Sequence, residues 1–129
     1  MIGKIDVSKL KIPPERHELE TARFLSERGY DVVFIPPNNS PNIHSPDIRM
    51  DGVEWEIKCP LGKSARTIEN NFRKAIKQSH YIIFDLRHCN LPETQALAEL
   101  KREFVARHAK RLLVILKEGT LIEYPEKSS

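Results

Sequence analysis

Asp51-Gly52 stands between two short runs of alternating character, and no other stretch limits the possible folds of this chain as sharply. Asp-Gly signals a two-residue hairpin turn because both central positions of such a turn need positive φ. Residues 46 to 50 are therefore expected to fold back beside residues 53 to 58. Side chains alternate between the two faces of a strand, so Val53, Trp55 and Ile57 point one way and Glu54, Glu56 and Lys58 the other. The apolar trio calls for a core, with Trp55 packing there rather than stacking a base. The turn also brings Asp47 laterally close to Glu56 and Lys58. Two carboxylates and an ammonium then converge. Acids that share a divalent cation, with a lysine beside the attacking water or the scissile phosphate, suit metal-assisted hydrolysis of a phosphodiester. The same alternation also describes a half-buried hairpin whose outer face is merely solvated.

The rest of the chain supplies elements to pack on this hairpin. Pro13-Pro14 opens a helix near Glu15 that Gly29 closes, with Leu19, Ala22 and Leu25 as its buried stripe. Tyr30 to Ile35 predicts a strand and residues 38 to 45 a loop. Helical spacing recurs from Arg66 to Ser79, followed by the apolar run Tyr81 to Leu86 as a buried strand, so a parallel crossover is expected. Pro92 starts a third helix with Leu97, Leu100 and Phe104 inward, and a last hairpin turns at Glu118-Gly119. The expected order is αβββαβαββ, an α/β domain with a mixed sheet flanked by helices. One domain over residues 14 to 125 is expected, with tails at residues 1 to 13 and 126 to 129.

The second helix carries a further pattern. Thr67, Asn71, Lys74 and Gln78 fall at i, i+4, i+7 and i+11, one polar stripe opposite the apolar one. The short connection from the Glu56/Lys58 strand lets that stripe turn toward the carboxylates. An ordinary solvated outer face is equally compatible with it. Gly62-Lys63-Ser64, ahead of the helix, offers backbone amides and a cap near an anion, with Lys63 and Arg66 adding charge.

Composition excludes more than it assigns. The 129 residues are 40% apolar and 30% charged, which argues against disorder. A net charge of +3 and a pI near 8.9 permit a nucleic-acid partner without arguing for one. No apolar run approaches the ~20 residues that span a bilayer, and Met1-Ile2-Gly3-Lys4 leads into no signal-peptide core. An aqueous, cytoplasmic setting is expected. Cys59 and Cys89 fit neither a disulfide framework nor, with His88, a compact zinc site. Of the five histidines, His17 and His44 are the better candidates because they neighbour the motif residues. Asp85, at the end of a buried strand, reads as a local hydrogen-bond acceptor rather than a metal ligand.

Pro46-Asp47 followed by Glu56-Ile57-Lys58, nine positions from acid to acid, resembles the signature of the PD-(D/E)xK nuclease superfamily and its restriction endonuclease-like fold. In that superfamily a helix carrying a glutamate precedes the first core strand, and a helix and a buried strand follow the lysine. The run from His17 to Leu25 is similar to the first of these, and Glu18 best matches its glutamate, with Glu20 and Glu15 as neighbours. A narrower resemblance covers most of the chain through Ser45-Pro46-Asp47, Gly52 to Lys58, Gly62-Lys63-Ser64, Thr67 to Asn71, Lys77-Gln78 and Ile82 to Leu86. It is to the C-terminal nuclease domains of CdiA-type contact-dependent inhibition and polymorphic toxins.

The resemblance implies a metal-dependent endonuclease of the toxin type that acts on tRNA and is neutralised by a cognate immunity protein. It implies that Asp47, Glu56 and the Ile57 carbonyl hold Mg²⁺ or Mn²⁺, that Glu18 completes the shell, and that Lys58 orients water or neutralises charge. Thr67, Asn71, Lys74, Gln78, Lys63 and Arg66 are the expected substrate contacts. Action would be in the cytoplasm of the producing or the target bacterium. Members of the family vary in substrate, which leaves a DNA endonuclease of restriction or repair type as the alternative. A catalytically silent nucleic-acid- or protein-binding module on the same scaffold is the other. The chain starts at Met1 without a delivery module, so an excised domain, an orphan toxin and a domesticated nuclease all stay open.

Overall fold

The computed structural model describes residues 1–37 and 45–126. Residues 38 to 44 of the expected loop over 38 to 45, with His44, and the last three residues of the expected C-terminal tail lie outside the described residues. The elements are β1 (Ile5–Asp6), α1 (Arg16–Glu27), β2 (Val32–Phe34), β3 (Ile48–Met50), β4 (Val53–Lys58) and α2 (Thr67–Gln78). They are followed by β5 (Tyr81–Asp85), α3 (Glu93–Ala106), β6 (Arg111–Ile115) and β7 (Leu121–Tyr124). Among the described residues the seven strands form one sheet in chain order. Pairs β2–β3, β3–β4 and β6–β7 are antiparallel, whereas β4–β5 and β5–β6 are parallel. Each of these two parallel steps is bridged by a helix, because a parallel neighbour cannot be reached through a tight turn.

Both faces of the sheet are covered. Ala22, Phe24 and Leu25 of α1 pack with Val32, Ile48, Trp55, Ile57, Ile83 and Leu113 on one face. Ile68, Phe72 and Ala75 of α2 and Leu100 of α3 pack with Ile82, Phe84, Leu112 and Val114 on the other. Successive residues of β5 and β6 thus enter different cores, which is why those strands are continuously apolar. Phe72 stacks on Phe84 with ring centroids 5.6 Å apart, a contact worth roughly 1 kcal/mol beyond its burial.

The hairpin forms as its turn dictates. Asp51 and Gly52 adopt φ of 54° and 77°, the two left-handed positions of a primed turn, and set Ile48 opposite Trp55 and Arg49 opposite Glu54. Trp55 is fully buried, and its indole N–H donates to the Met50 carbonyl at 3.0 Å. The polar tip therefore costs the core nothing unsatisfied.

The N-terminal segment corrects the expected tail. Ile5 and Asp6 pair in parallel with Val32 and Val33, so the order is βαβββαβαββ. The Gly3 N–H donates to the Ser26 carbonyl at 2.6 Å. A Cβ at Gly3 would lie 1.9 Å from the Tyr30 carbonyl oxygen, so this approach requires glycine. A two-residue strand held by main-chain bonds leaves no hydrophobic period to read.

Candidate active site

Asp47 lies just ahead of β3, clamped on both sides by main chain. Its carbonyl accepts the Ile35 N–H and its N–H donates to the Trp55 carbonyl, each at 3.0 Å. The side chain continues the ladder where the β3 backbone ends: Oδ2 accepts the Ile57 N–H at 2.8 Å. An acid at this point is aimed at β4 by hydrogen bonding, not by chance of rotamer.

The charged face of β4 is not the solvated face that alternation alone would allow. Glu56 is 6% exposed, its Oε2 is 3.4 Å from Lys58 Nζ, and its Oε1 is buried without a hydrogen-bond partner. Burial, then the Asp47 charge, pushes the Glu56 carboxyl up to about 8, with Lys58 opposing. Glu54 leaves this group and pairs with Arg49 at 2.8 Å on the outside.

From α1, Glu18 joins the same acids. Burial and the Asp47 charge push it up to about 7, with Glu15 adding to the repulsion. Of its neighbours, Glu20 turns away to pair with Arg16 at 3.3 Å and with His88 at 3.5 Å, whereas Glu15 pairs with His17 at 3.4 Å and stays beside Glu18. Glu18 and Glu56, each raised by burial and by the Asp47 charge, mark a site short of positive charge.

Beside Glu18 and Asp47 opens a cleft of about 480 Å³. Gln78 also lines it, and the remainder is largely apolar, including Leu10, Ile12, Pro13, Pro14 and Phe34. Of the six expected substrate contacts, Gln78 is the one that lines this cleft. Thr67 and Asn71 are half-buried and engaged locally: the Asn71 amide donates to the Thr67 carbonyl at 2.8 Å, and the Thr67 hydroxyl lies 3.3 Å from that of Ser64. Lys63, Arg66 and Lys74 are exposed, and Arg66 pairs with Glu69 at 3.4 Å. Leu10, Ile12, Pro13 and Pro14 form a wall, the first three of them within the expected tail of residues 1 to 13. Leu10 and Ile12 before Pro13-Pro14 are its only signal.

A buried polar group fastens α1 to the sheet beneath the acids. Asp85, 4% exposed, accepts from the Thr21 hydroxyl at 2.7 Å and from Arg87 through Nε at 3.0 Å and a terminal nitrogen at 2.8 Å. Arg87 also donates to the Glu20 carbonyl at 3.2 Å. Burial works against the Asp85 charge, but the bonds from Arg87 and Thr21 prevail and its carboxyl lies below the usual range. Cys59 sits 3.4 Å from the Thr21 hydroxyl, and burial pushes its thiol up to about 12, so it is not a nucleophile.

Among the described residues, no group of three or more His, Cys, Asp and Glu side chains stands in position to hold a metal ion. Nor is any helix long and apolar enough to cross a membrane. What the site presents is hard oxygen: the Asp47 carboxylate, the unpartnered Glu56 Oε1, and the Ile57 carbonyl. In a strand that carbonyl lies on the same edge as the Ile57 N–H bound by Asp47.

These features define a class, an α/β domain with helices on both faces of a mixed sheet and a buried acid–lysine group on its central strand β4. Residues 44–121 match the family described as the contact-dependent growth inhibition CdiA C-terminal domain. The chain belongs to that family. The match spans Asp47, Glu56, Lys58 and all of α2, while Glu18 lies ahead of it. Among solved structures the chain is similar to one described as "CdiA-CT/CdiI toxin and immunity complex from Burkholderia pseudomallei". That likeness has a TM-score of 0.69 at 22% identity, over 94% of this chain and 98% of the other, and is one of fold. No curated protein matches the chain.

Proposed function

We propose that this domain is a metal-dependent endonuclease of the PD-(D/E)xK, restriction endonuclease-like type, directed at tRNA and acting as a toxin. The observation that carries the reading is that Glu18 and Glu56, both partly dehydrated, are each raised by the charge of Asp47 between them, with Lys58 beside Glu56. Raised carboxyl pKa values mark a crowd of negative charge that a cation relieves, and the buried, unpartnered Glu56 Oε1 is an oxygen in need of one. Asp47, Glu56 and the Ile57 carbonyl would hold Mg²⁺ or Mn²⁺, with water filling the shell and Glu18 reached directly or through water. Such an ion supplies Lewis acidity and lowers the pKa of water.

The chain's own groups do the remaining work. Lys58, tethered to Glu56, aims its ammonium at the attacking water or at the charge growing on the phosphate oxygens. The Asp47–Ile57 bond keeps the acid and the carbonyl in fixed relation, so little reorganisation accompanies reaction. Gln78 offers amide hydrogen bonds to the substrate backbone from the cleft wall. The apolar lining from Leu10 to Pro14 suits the face of an unstacked base, which favours loops and single strands over duplex. The tRNA assignment itself rests on the family resemblance. The similar toxin fold was solved as a complex with its immunity protein, and a cognate immunity protein is proposed as this domain's partner.

The test is to incubate the protein with total tRNA and with plasmid DNA, in Mg²⁺ or in EDTA, beside Asp47→Ala and Lys58→Ala. Mg²⁺-dependent loss of tRNA by wild type alone is expected. Cleavage of plasmid with intact tRNA would transfer the reading to a DNA endonuclease. Two intact substrates would leave only a binding module.

A further inference from the structure

A second groove, of about 570 Å³, opens where β3, the start of β4 and the turn from α2 into β5 meet. It shares two of its lining residues, Pro46 and Gln78, with the carboxylate cleft. The two hollows therefore adjoin at Pro46 and Gln78, and a chain engaged at Asp47 lies next to this second groove. Its cations come from separate parts of the fold, Arg49 from β3 and Lys110 from the turn ahead of β6, with Ser79, His80 and Tyr81 between them.

Each cation is held but not spent. The main-chain N–H of Lys110 donates to the His80 carbonyl at 2.8 Å, which fixes the backbone and leaves the ammonium exposed. Arg49 gives one terminal nitrogen to Glu54 at 2.8 Å, with its side chain 56% exposed, so other N–H groups of its fork remain open to solvent. Glu54 is the one acid in the lining, and Arg49 already engages it.

We propose that this groove binds backbone phosphates of the nucleic acid on one side of the scissile bond, with Arg49 and Lys110 as its phosphate contacts. The proposal rests on the nuclease reading and deepens it, giving the substrate a direction across the protein. Such contacts fix the register of a strand and carry no sequence information. The sequence did not reveal the pair, because Arg49 and Lys110 are far apart along the chain and Lys110 falls in the basic group from Lys101 to Arg111, which reads as a solvated helix face.

The experiment measures binding of labelled tRNA in EDTA, so that cleavage does not intervene, at several KCl concentrations. It compares wild type, Arg49→Ala/Lys110→Ala, and Lys101→Ala/Arg102→Ala as a control on the exposed side of α3. Loss of two phosphate contacts lowers the slope of log affinity against log salt by about 1.4 to 1.8 and weakens binding roughly tenfold at moderate salt. In Mg²⁺ the groove variant raises KM and leaves kcat near wild type, since the acids are untouched. Thermal melting checks that both variants are folded. A groove variant with the wild-type salt slope would overturn the proposal while leaving the nuclease reading intact. Absence of wild-type binding to any nucleic acid would overturn the nuclease reading, and the groove assignment with it.

Discussion

The carboxylate of Asp47 accepts the main-chain N–H of Ile57 at 2.8 Å, so the acid ahead of β3 is held by the strand that carries Glu56 and Lys58. One side chain thus has a structural and a chemical duty, and substitution separates them. Asn keeps an oxygen for the Ile57 N–H, whereas Ala leaves that N–H unpaired, at a cost of about 1 to 3 kcal/mol. At pH 5, where Glu18 and Glu56 are protonated and repulsion from Asp47 is absent, Asp47→Ala should melt at least ~3 °C below wild type and Asp47→Asn close to it. Both should lose activity by about 10²-fold or more. Thermal melts beside initial rates check this.

The acid cluster also gives the cation-free protein a particular pH dependence. Glu18 and Glu56 ordinarily titrate near 4.5 and are raised in the fold to about 7 and about 8. A raised carboxyl pKa favours the neutral form in the native state. Its contribution is therefore complete below the unfolded pKa and is lost as pH rises from about 4.5 through 7 and 8. In EDTA, wild type should melt several degrees lower at pH 8.5 than at pH 5. Glu56→Gln should flatten that loss and melt ~3 °C or more above wild type at pH 8.5. Addition of Mg²⁺ at pH 8.5 should raise the wild-type midpoint and hardly move that of Glu56→Gln.

Asp85 carries the attachment of α1 to the sheet, since its carboxylate receives both Thr21 and Arg87. Removal of one member of a buried ion pair leaves the other uncompensated. Asp85→Ala should lower stability in urea by about 3 kcal/mol, and Thr21→Val by about 1 kcal/mol. Because Glu18 lies one turn before Thr21, both substitutions should also depress activity at temperatures where the protein stays folded.

These particulars show how far the sequence could be read. The Asp51-Gly52 turn and the Val53/Trp55/Ile57 alternation fixed the hairpin register, and with it the approach of Asp47 to Glu56, because both follow from local geometry. The α/β class with a mixed sheet followed from the order of apolar runs. Strand β1 was missed because two residues joined by main-chain bonds leave no pattern. The burial of Glu56 was left open for another reason: alternation tells which face a residue takes, not what covers that face. The polar stripe of α2 was read correctly as a stripe, yet only its Gln78 end reaches the carboxylate cleft. Glu18 was chosen over Glu15 and Glu20 by resemblance, and the repulsion it shares with Asp47 is a tertiary property.

The most direct measurement of the central claim is the rate at which purified protein cleaves end-labelled individual tRNAs under single-turnover conditions, with Mg²⁺ or EDTA, for wild type and Lys58→Ala. Lys58 touches Glu56 at 3.4 Å and is half-buried, so its removal perturbs the chemistry more than the fold. The expected result is Mg²⁺-dependent cleavage at a defined position, abolished by EDTA and slowed about 10²- to 10³-fold in Lys58→Ala. Equal cleavage by wild type and Lys58→Ala, or cleavage undiminished in EDTA, would contradict it.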